Sequence, residues 1–475
     1  MSARSLWGTL FLGFSFVAAI GIVSYPLFAG ETRTVVKTQG FLPFADAPIH
    51  YRTSKTLNDQ ITQLNAKLER SELELTWEAG NGYLQSVLDA LGVPVSSQLL
   101  VFSKTSLQML NISPASPRAL YFNDNVYVGQ VKNSKSLELI AFDATQGAVF
   151  YVLGEQKVEK PRFERAQLDC VQCHIATATR GIPGVVVRSV LTTPAGYPKA
   201  GAPIHTMGHE TPLANRWGGW YVTGSPNPEP HLGNLNTLSE PQGLGANLPD
   251  VRKVVDTSQF LGSHSDIVAH LVLAHQTQMH NLVTETNYRY RLGLHADAEK
   301  AKKEGRSLSG PSEETRQQYE KAAEATLRYL LFTQEAPLPT PVQGSSTFAA
   351  DFAALGPKDS RGRSLRDFDL NQRIFKYPCS YLIYSDAFDS IPGEARRYLL
   401  QRLFAVLSGR DQSGDFAGLS AGMRQAILEI LVDTKPGLPP EWKQFLQQQT
   451  ELKVHTPVDF PAHFPRLINQ KGNDQ

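Results

Sequence analysis

Charge of one sign is what this 475-residue chain lacks: 46 Lys and Arg stand against 45 Asp and Glu, a formal net charge of +1. A field so weak does not gather nucleic acid or an acidic surface. The basic residues are scattered rather than interleaved with aromatics, so no nucleic-acid partner is expected. The chain also has no internal repeat, no phosphate-binding glycine loop and no spaced Ser/His/Asp set that would supply a rival chemistry. Cysteine is scarce, with Cys170, Cys173 and Cys379 only. Cys379 lies in an apolar stretch with Tyr377, Leu382 and Ile383 and reads as a buried, inert thiol.

Against that background one run stands out: Cys170, Val171, Gln172, Cys173, His174. A Cys-x-x-Cys alone fits half a zinc site, a redox dithiol or a disulfide. A zinc site would want a second ligand pair, and neither a second Cys-x-x-Cys nor a nearby His pair at finger spacing is present. With histidine directly after the second thiol, the run is the attachment signature of c-type haem. Two thiols adding across the two vinyl groups of one porphyrin must sit about one helical turn apart. The histidine after them then lies under the macrocycle, where its imidazole binds the iron as proximal ligand. In this motif, which occurs once, the chain resembles the cytochrome c family. The resemblance implies covalent haem c on Cys170 and Cys173 and iron ligation by His174. It also implies that the loop at Gly181, Ile182, Pro183 and Gly184 supports the haem, with Pro183 giving a backbone carbonyl to the proximal imidazole; such an acceptor fixes the tautomer. The resemblance stops at attachment. Roughly four times the chain of a small carrier cytochrome serves one motif, and the helix-borne methionine at the family's distance is missing.

The amino terminus agrees with the motif. After the basic start at Arg4, residues 5–30 carry no charged side chain and are rich in Leu, Phe, Val and Ile. That composition is an export signal, and the cytochrome resemblance implies haem attachment outside the cytoplasm. The run is long enough to span a bilayer of about 30 Å. Leu27 stands where a cleavage site prefers a small residue. The expectation is a retained inner-membrane anchor with its basic end inside and the rest facing the periplasm, or a periplasmic protein if the segment is cleaved.

The remainder, 41% hydrophobic and 19% charged over the whole chain, reads as an ordinary soluble body. Its fold class is α+β, predominantly α: a small antiparallel β region beside the haem motif and a helical carboxy-terminal half. The expected segments are an anchor at 1–30, a stalk and helical region at 31–118, the haem-attachment region with strands at 119–250, a helical region at 251–335, and a further helical region at 344–475. Residues 57–91 show helical spacing, interrupted near Gly80 and Gly82. Residues 137–142 and 148–153, around a turn ending in Gly147, form a hairpin. Residues 185–190 and 217–222 read as two more strands. Ser263 and Asp266 suggest a capping box opening a helix that runs to about residue 292. Others are expected from Ser312 and over 381–388, 394–407 and 419–432, with a proline-rich linker at 336–343. The Pro/Gly-rich loop at 225–249, carrying His231, is a candidate cover over the haem.

A six-coordinate haem needs a ligand opposite His174, commonly Met or His. The distal candidates are His231, His209, Met279 and Met207. Five residues turn a helix by about 140°, so His270, His275 and His280 point in three directions and form no metal site on one helix. His264, Val268, Leu271, His275, Met279 and Leu282 share one stripe, the expected buried face. The functional expectation is an exported, membrane-anchored c-type haem protein that passes electrons to or from a redox protein partner. The alternatives are a haem enzyme with an open distal position, for peroxide or nitrogen-oxide chemistry, and a haem-bearing sensor or assembly subunit. No catalytic residues are assigned.

Overall fold

The computed structural model describes residues 41–166, 168–225, 230–236 and 247–455. The expected signal or anchor at 1–30 lies outside them. Among the described residues no helix is long and apolar enough to cross a membrane.

Alternating side chains build the first half. Strands β1 (Leu99–Val101), β2 (Arg118–Phe122), β3 (Val126–Gln130), β4 (Ser136–Asp143), β5 (Gly147–Gly154) and β6 (Glu164–Arg165) pair antiparallel in chain order, as one meander. The hairpin of β4 and β5 turns where expected, with Asp143 opposite Gly147. Because successive side chains face opposite ways, Ala119, Tyr121, Val128, Leu137 and Leu139 pack on one face against helices α1 (Gln60–Glu69) and α2 (Leu84–Leu91). Phe122, Tyr127, Phe142 and Phe150 pack on the other, in the larger core.

The Cys-x-x-Cys-His run lies on the short helix α3 (Leu168–His174), after the sheet. Strands β7 (Arg188–Val190) and β8 (Ile204–Thr206) pair by themselves. The expected strand at 217–222 does not form; Trp220 makes only an isolated bridge with Val101. The reason is local. Trp217 and Gly219 have φ of 65° and 81°, and Trp220 N–H turns back to the Trp217 carbonyl at 2.9 Å, which breaks an extended run.

Helix α4 (Ile267–Lys303) is the axis of the second half. Its N-cap is Asp266, which accepts from the Val268 and Ala269 amides, and not Ser263 three residues earlier. The one-faced reading of this helix is also corrected: every residue from Ile267 to Tyr288 is buried. The sheet covers one side, and α5 (Glu313–Leu330), α6 (Phe348–Ala354), α7 (Asp386–Asp389) and α8 (Gly393–Leu407) cover others. Residues 381–388 divide into a 3-10 turn (Tyr381–Tyr384) and the brief α7, since Ser385 takes an extended conformation and its side chain caps α7. Helix α9 (Ala421–Thr434) lies two residues beyond its expected place, and α10 (Pro440–His455) was not anticipated. The proline-rich stretch at 336–343 is no free linker: Leu338 and Val342 are buried, and their amides bond to the Gln372 and Leu370 carbonyls. The described residues from 41 onward pack as one unit. With 39% helix and 13% strand the fold is α+β, predominantly α.

Candidate functional site

Cys170 and Cys173 stand one turn apart on α3, as a porphyrin with two vinyl groups requires. Helix α3 is held by its apolar side: Val171 and Ile175 are buried in the larger core, while Cys173 is exposed and Cys170 half-buried. All three cysteines are unbridged. Among the described residues no three His, Cys, Asp or Glu side chains converge as metal ligands.

Cys173 and His174 form part of the wall of a partly open cavity. The cavity lies between the face of β2, β3 and β4 that carries Leu120, Phe122, Tyr127 and Ile140 and the segment 185–188, with Trp220 and Leu273 of α4 also in the wall. Cys170 stands one turn back, against the core rather than in that wall. The wall is mostly apolar; its charged side chains are Arg118, Glu138 and Arg188. Arg118 pairs with Glu138 at 2.7 Å, reaching from β2 across Gly129 of β3 to β4. A Cβ on Gly129 would come within 2.4 Å of the Arg118 Nη2, so glycine leaves the path for that side chain.

The tautomer of His174 is set by its neighbour. Nδ1 lies 3.0 Å from the Gly184 carbonyl, an acceptor only, so Nδ1 carries the proton and Nε2 keeps its lone pair. The acceptor is one residue beyond the one expected: the Pro183 carbonyl instead faces the Ala148 amide at 3.4 Å. Burial pushes the His174 imidazole down to about 4; the Gly184 hydrogen bond and Glu138 oppose this, and Arg118 and Arg188 add to it. A neutral imidazole with a free Nε2 is the form that binds a metal.

The Gly184 carbonyl is itself fixed from α4. Asn281 accepts from the Val185 amide at 3.0 Å and donates to the Val185 carbonyl at 2.7 Å, so one side chain clamps the residue after Gly184. Gly184 N–H in turn bonds to the His174 carbonyl at 3.0 Å. Sequence reading missed Asn281, Arg118, Glu138 and Gly129. An amide side chain within the apolar-periodic part of α4 was the available signal for the first; nothing marked the others, which act through strand pairing.

None of the four distal candidates lies in the cavity wall. His209 is buried against α4, its Nδ1 2.8 Å from His275 Nδ1, stacked on Tyr329 and Phe332. His231 is buried, bonded to Asn247 at 2.8 Å and to the Gly233 amide at 3.0 Å. Its ring meets the Trp217 indole edge-on. Met207 sulfur accepts from the Trp217 amide at 3.2 Å, and Met279 is packed in the core. His270, His275 and His280 of α4 do point in different directions: His270 meets Trp217 and Trp220, His275 meets Ser380 and His209, and His280 stacks on Phe142 and bonds to the Asp124 carbonyl.

Comparison with protein-family models, with curated proteins and with solved structures finds no match. Likeness therefore carries no argument here, and the site is read from its own chemistry. A thiol pair at one-turn spacing, a neutral imidazole with a free Nε2 and an adjoining apolar cavity with a few charged groups fit a covalently bound haem.

Proposed function

We propose that this chain is an exported c-type haem protein that transfers electrons to or from a protein partner. The observation that carries the reading is His174: it stands directly after the second thiol of a Cys-x-x-Cys, lines an apolar cavity, and has its Nδ1 proton committed to Gly184. Each thiol adds across one vinyl double bond. Sulfur bonds to one carbon and hydrogen ends on the other, with no net oxidation. A bound haem supplies one-electron chemistry. The chain's own residues attach it through Cys170 and Cys173, orient the imidazole through Gly184 and Asn281, and exclude water with Leu120, Phe122, Val187 and Trp220. The charge-free run at 5–30 supports export and a membrane anchor.

One observation favours a second reading, a haem with an open sixth position that serves peroxide or nitrogen-oxide chemistry. Among the described residues, His174 is the sole imidazole in the cavity wall, and no methionine joins it.

The test is mass spectrometry of the denatured protein together with spectra of oxidised and reduced protein, with and without carbon monoxide. Haem mass should stay on the chain, and His174→Ala should alter the spin state. A reduced protein that resists carbon monoxide supports the carrier; rapid binding supports the open site. Haem that washes out in acidic acetone sinks both.

A further inference from the structure

The charged groups of the cavity are not balanced among themselves. It holds two guanidinium groups, Arg118 and Arg188, and one carboxylate, Glu138. Glu138 engages Arg118 through Nη2, yet Arg118 Nε is buried and makes no hydrogen bond among the described residues. Leaving a buried donor unpaired is costly, and the more so on a charged group. The donor is also held in place. Glu138 grips the outer nitrogen, and Gly129 gives the side chain its channel over β3, where a Cβ would stand 2.7 Å from Nε. Arg188 comes from the opposite wall. Its backbone is fixed by pairing with Thr206 and by the Trp220 indole, which donates to the Arg188 carbonyl at 2.8 Å. Its guanidinium makes no ion pair among the described residues. Two cations thus enter one largely apolar cavity from two walls, next to His174, with one carboxylate between them.

We infer that Arg118 and Arg188 are the binding site for the two propionate carboxylates of the porphyrin, with Glu138 positioning Arg118. This rests on the haem reading above. A porphyrin held through its vinyl edge by α3 presents its carboxylates at another edge, and planar guanidinium forks match carboxylates in geometry and charge. With ferric haem, whose core carries one positive charge, the two propionates, the two arginines and Glu138 sum to zero. The arginines therefore keep the propionates ionised and set the reduction potential, because nearby positive charge favours the reduced iron.

The experiment uses the holoprotein with Arg118→Leu, Arg188→Leu and Arg188→Lys. Arg162→Leu serves as control, at a guanidinium that is 68% exposed and outside the cavity. Covalent haem content, propionate bending bands in resonance Raman and the midpoint potential against pH are measured. Both Leu variants should keep covalent haem, shift the propionate bands, lower the potential and make it pH-dependent as propionates begin to take up protons. Arg188→Lys should restore part of the potential, and the control should change nothing. Glu138→Gln should raise the potential, an opposite sign that general loosening does not produce, and it stands in if Arg118→Leu does not fold. Unchanged bands and potential in haem-loaded variants overturn this inference alone. A wild-type protein without covalent haem overturns it together with the proposed function.

Discussion

At the scale of single residues, the position of His174 depends on a glycine that cannot be enlarged. A Cβ on Gly184 would lie 2.3 Å from Asn281 Oδ1 and 3.0 Å from Thr179 Cβ. Thr179 does not give way freely, since its hydroxyl bonds to the Ile182 carbonyl at 2.9 Å and accepts from the Ala176 amide at 3.0 Å. Gly184→Ala should therefore destabilise the protein by about 1–3 kcal/mol, the usual cost of forcing extra volume into a packed site. It should also perturb any spectrum that reports the His174 ligand. Gly154→Ala is the comparison, with nothing within 4 Å of its Cβ, and should stay within about 0.5 kcal/mol of wild type. Urea unfolding of the two variants decides it; equal midpoints would refute the close-packing account. The Cys-x-x-Cys-His run was legible because it is confined to five neighbouring residues. The clamp on it was not, since Asn281 meets Val185 across 96 residues of chain, a separation at which no periodicity leaves a trace. The one-residue change of acceptor from Pro183 to Gly184 is likewise a matter of loop geometry, which a short motif does not encode.

At the scale of elements, α4 shows why helical spacing was only half legible. Its start and type were visible, but only one stripe of it was read as buried. In fact polar residues beyond that stripe find partners inside. Gln276 bonds to the Tyr127 hydroxyl at 2.9 Å, Asn287 to the Ser390 carbonyl at 3.0 Å, and the Thr286 and Thr326 hydroxyls meet at 2.9 Å. A helix wrapped on every side hides its stripe, because burial no longer tracks hydrophobicity. His209, His231, Met207 and Met279, named as distal candidates for their ligand chemistry, are engaged in interior packing and hydrogen bonds. The helix is anchored at Asp266. One carboxylate oxygen accepts from Val268 and Ala269 at 2.7 and 3.2 Å, and the other takes both the Ser346 amide and hydroxyl at 2.8 Å. Asp266→Ala removes a helix cap and strands several buried donors at once. The expected loss is about 2–4 kcal/mol, with Asp266→Asn losing less because an amide oxygen still caps. Denaturant melts monitored by circular dichroism measure both. A loss below about 0.5 kcal/mol in the alanine variant would mean that the cap and the Ser346 contacts do not hold this helix.

At the scale of the whole molecule, interior imidazoles make stability depend on mild acid. Burial lowers His231 and His280 to about 4, His270 and His275 to about 3, and His209 well below its usual value. The His209–His275 bond between two ring nitrogens suits this, with one neutral ring donating and the other accepting. In the unfolded chain these side chains take up protons near 6.5, whereas the fold refuses them until pH 3 to 4. Over the interval between, the unfolded state binds more protons, so stability rises with pH. The contribution is complete above about 6.5 and drains away as pH falls toward about 4, on the order of 3 kcal/mol for a histidine held near 4. Two paired carboxylates act at lower pH. Hydrogen bonds and ion pairs hold Asp359 and Asp411 below their usual 3.8, against the pull of burial, so their share is lost only at still lower pH. Melting temperature should therefore fall steeply between about pH 6.5 and 4.5, because the five interior histidines outweigh Glu335 and Glu155, which burial raises to about 7 and about 6 and which pull the other way. Thermal melts across that range measure it, and His280→Gln, which keeps a donor for the Asp124 carbonyl, should flatten part of the slope. A melting temperature constant from about pH 7 to 4.5 would mean that the interior histidines reach water, and the packed core drawn around α4 would be wrong.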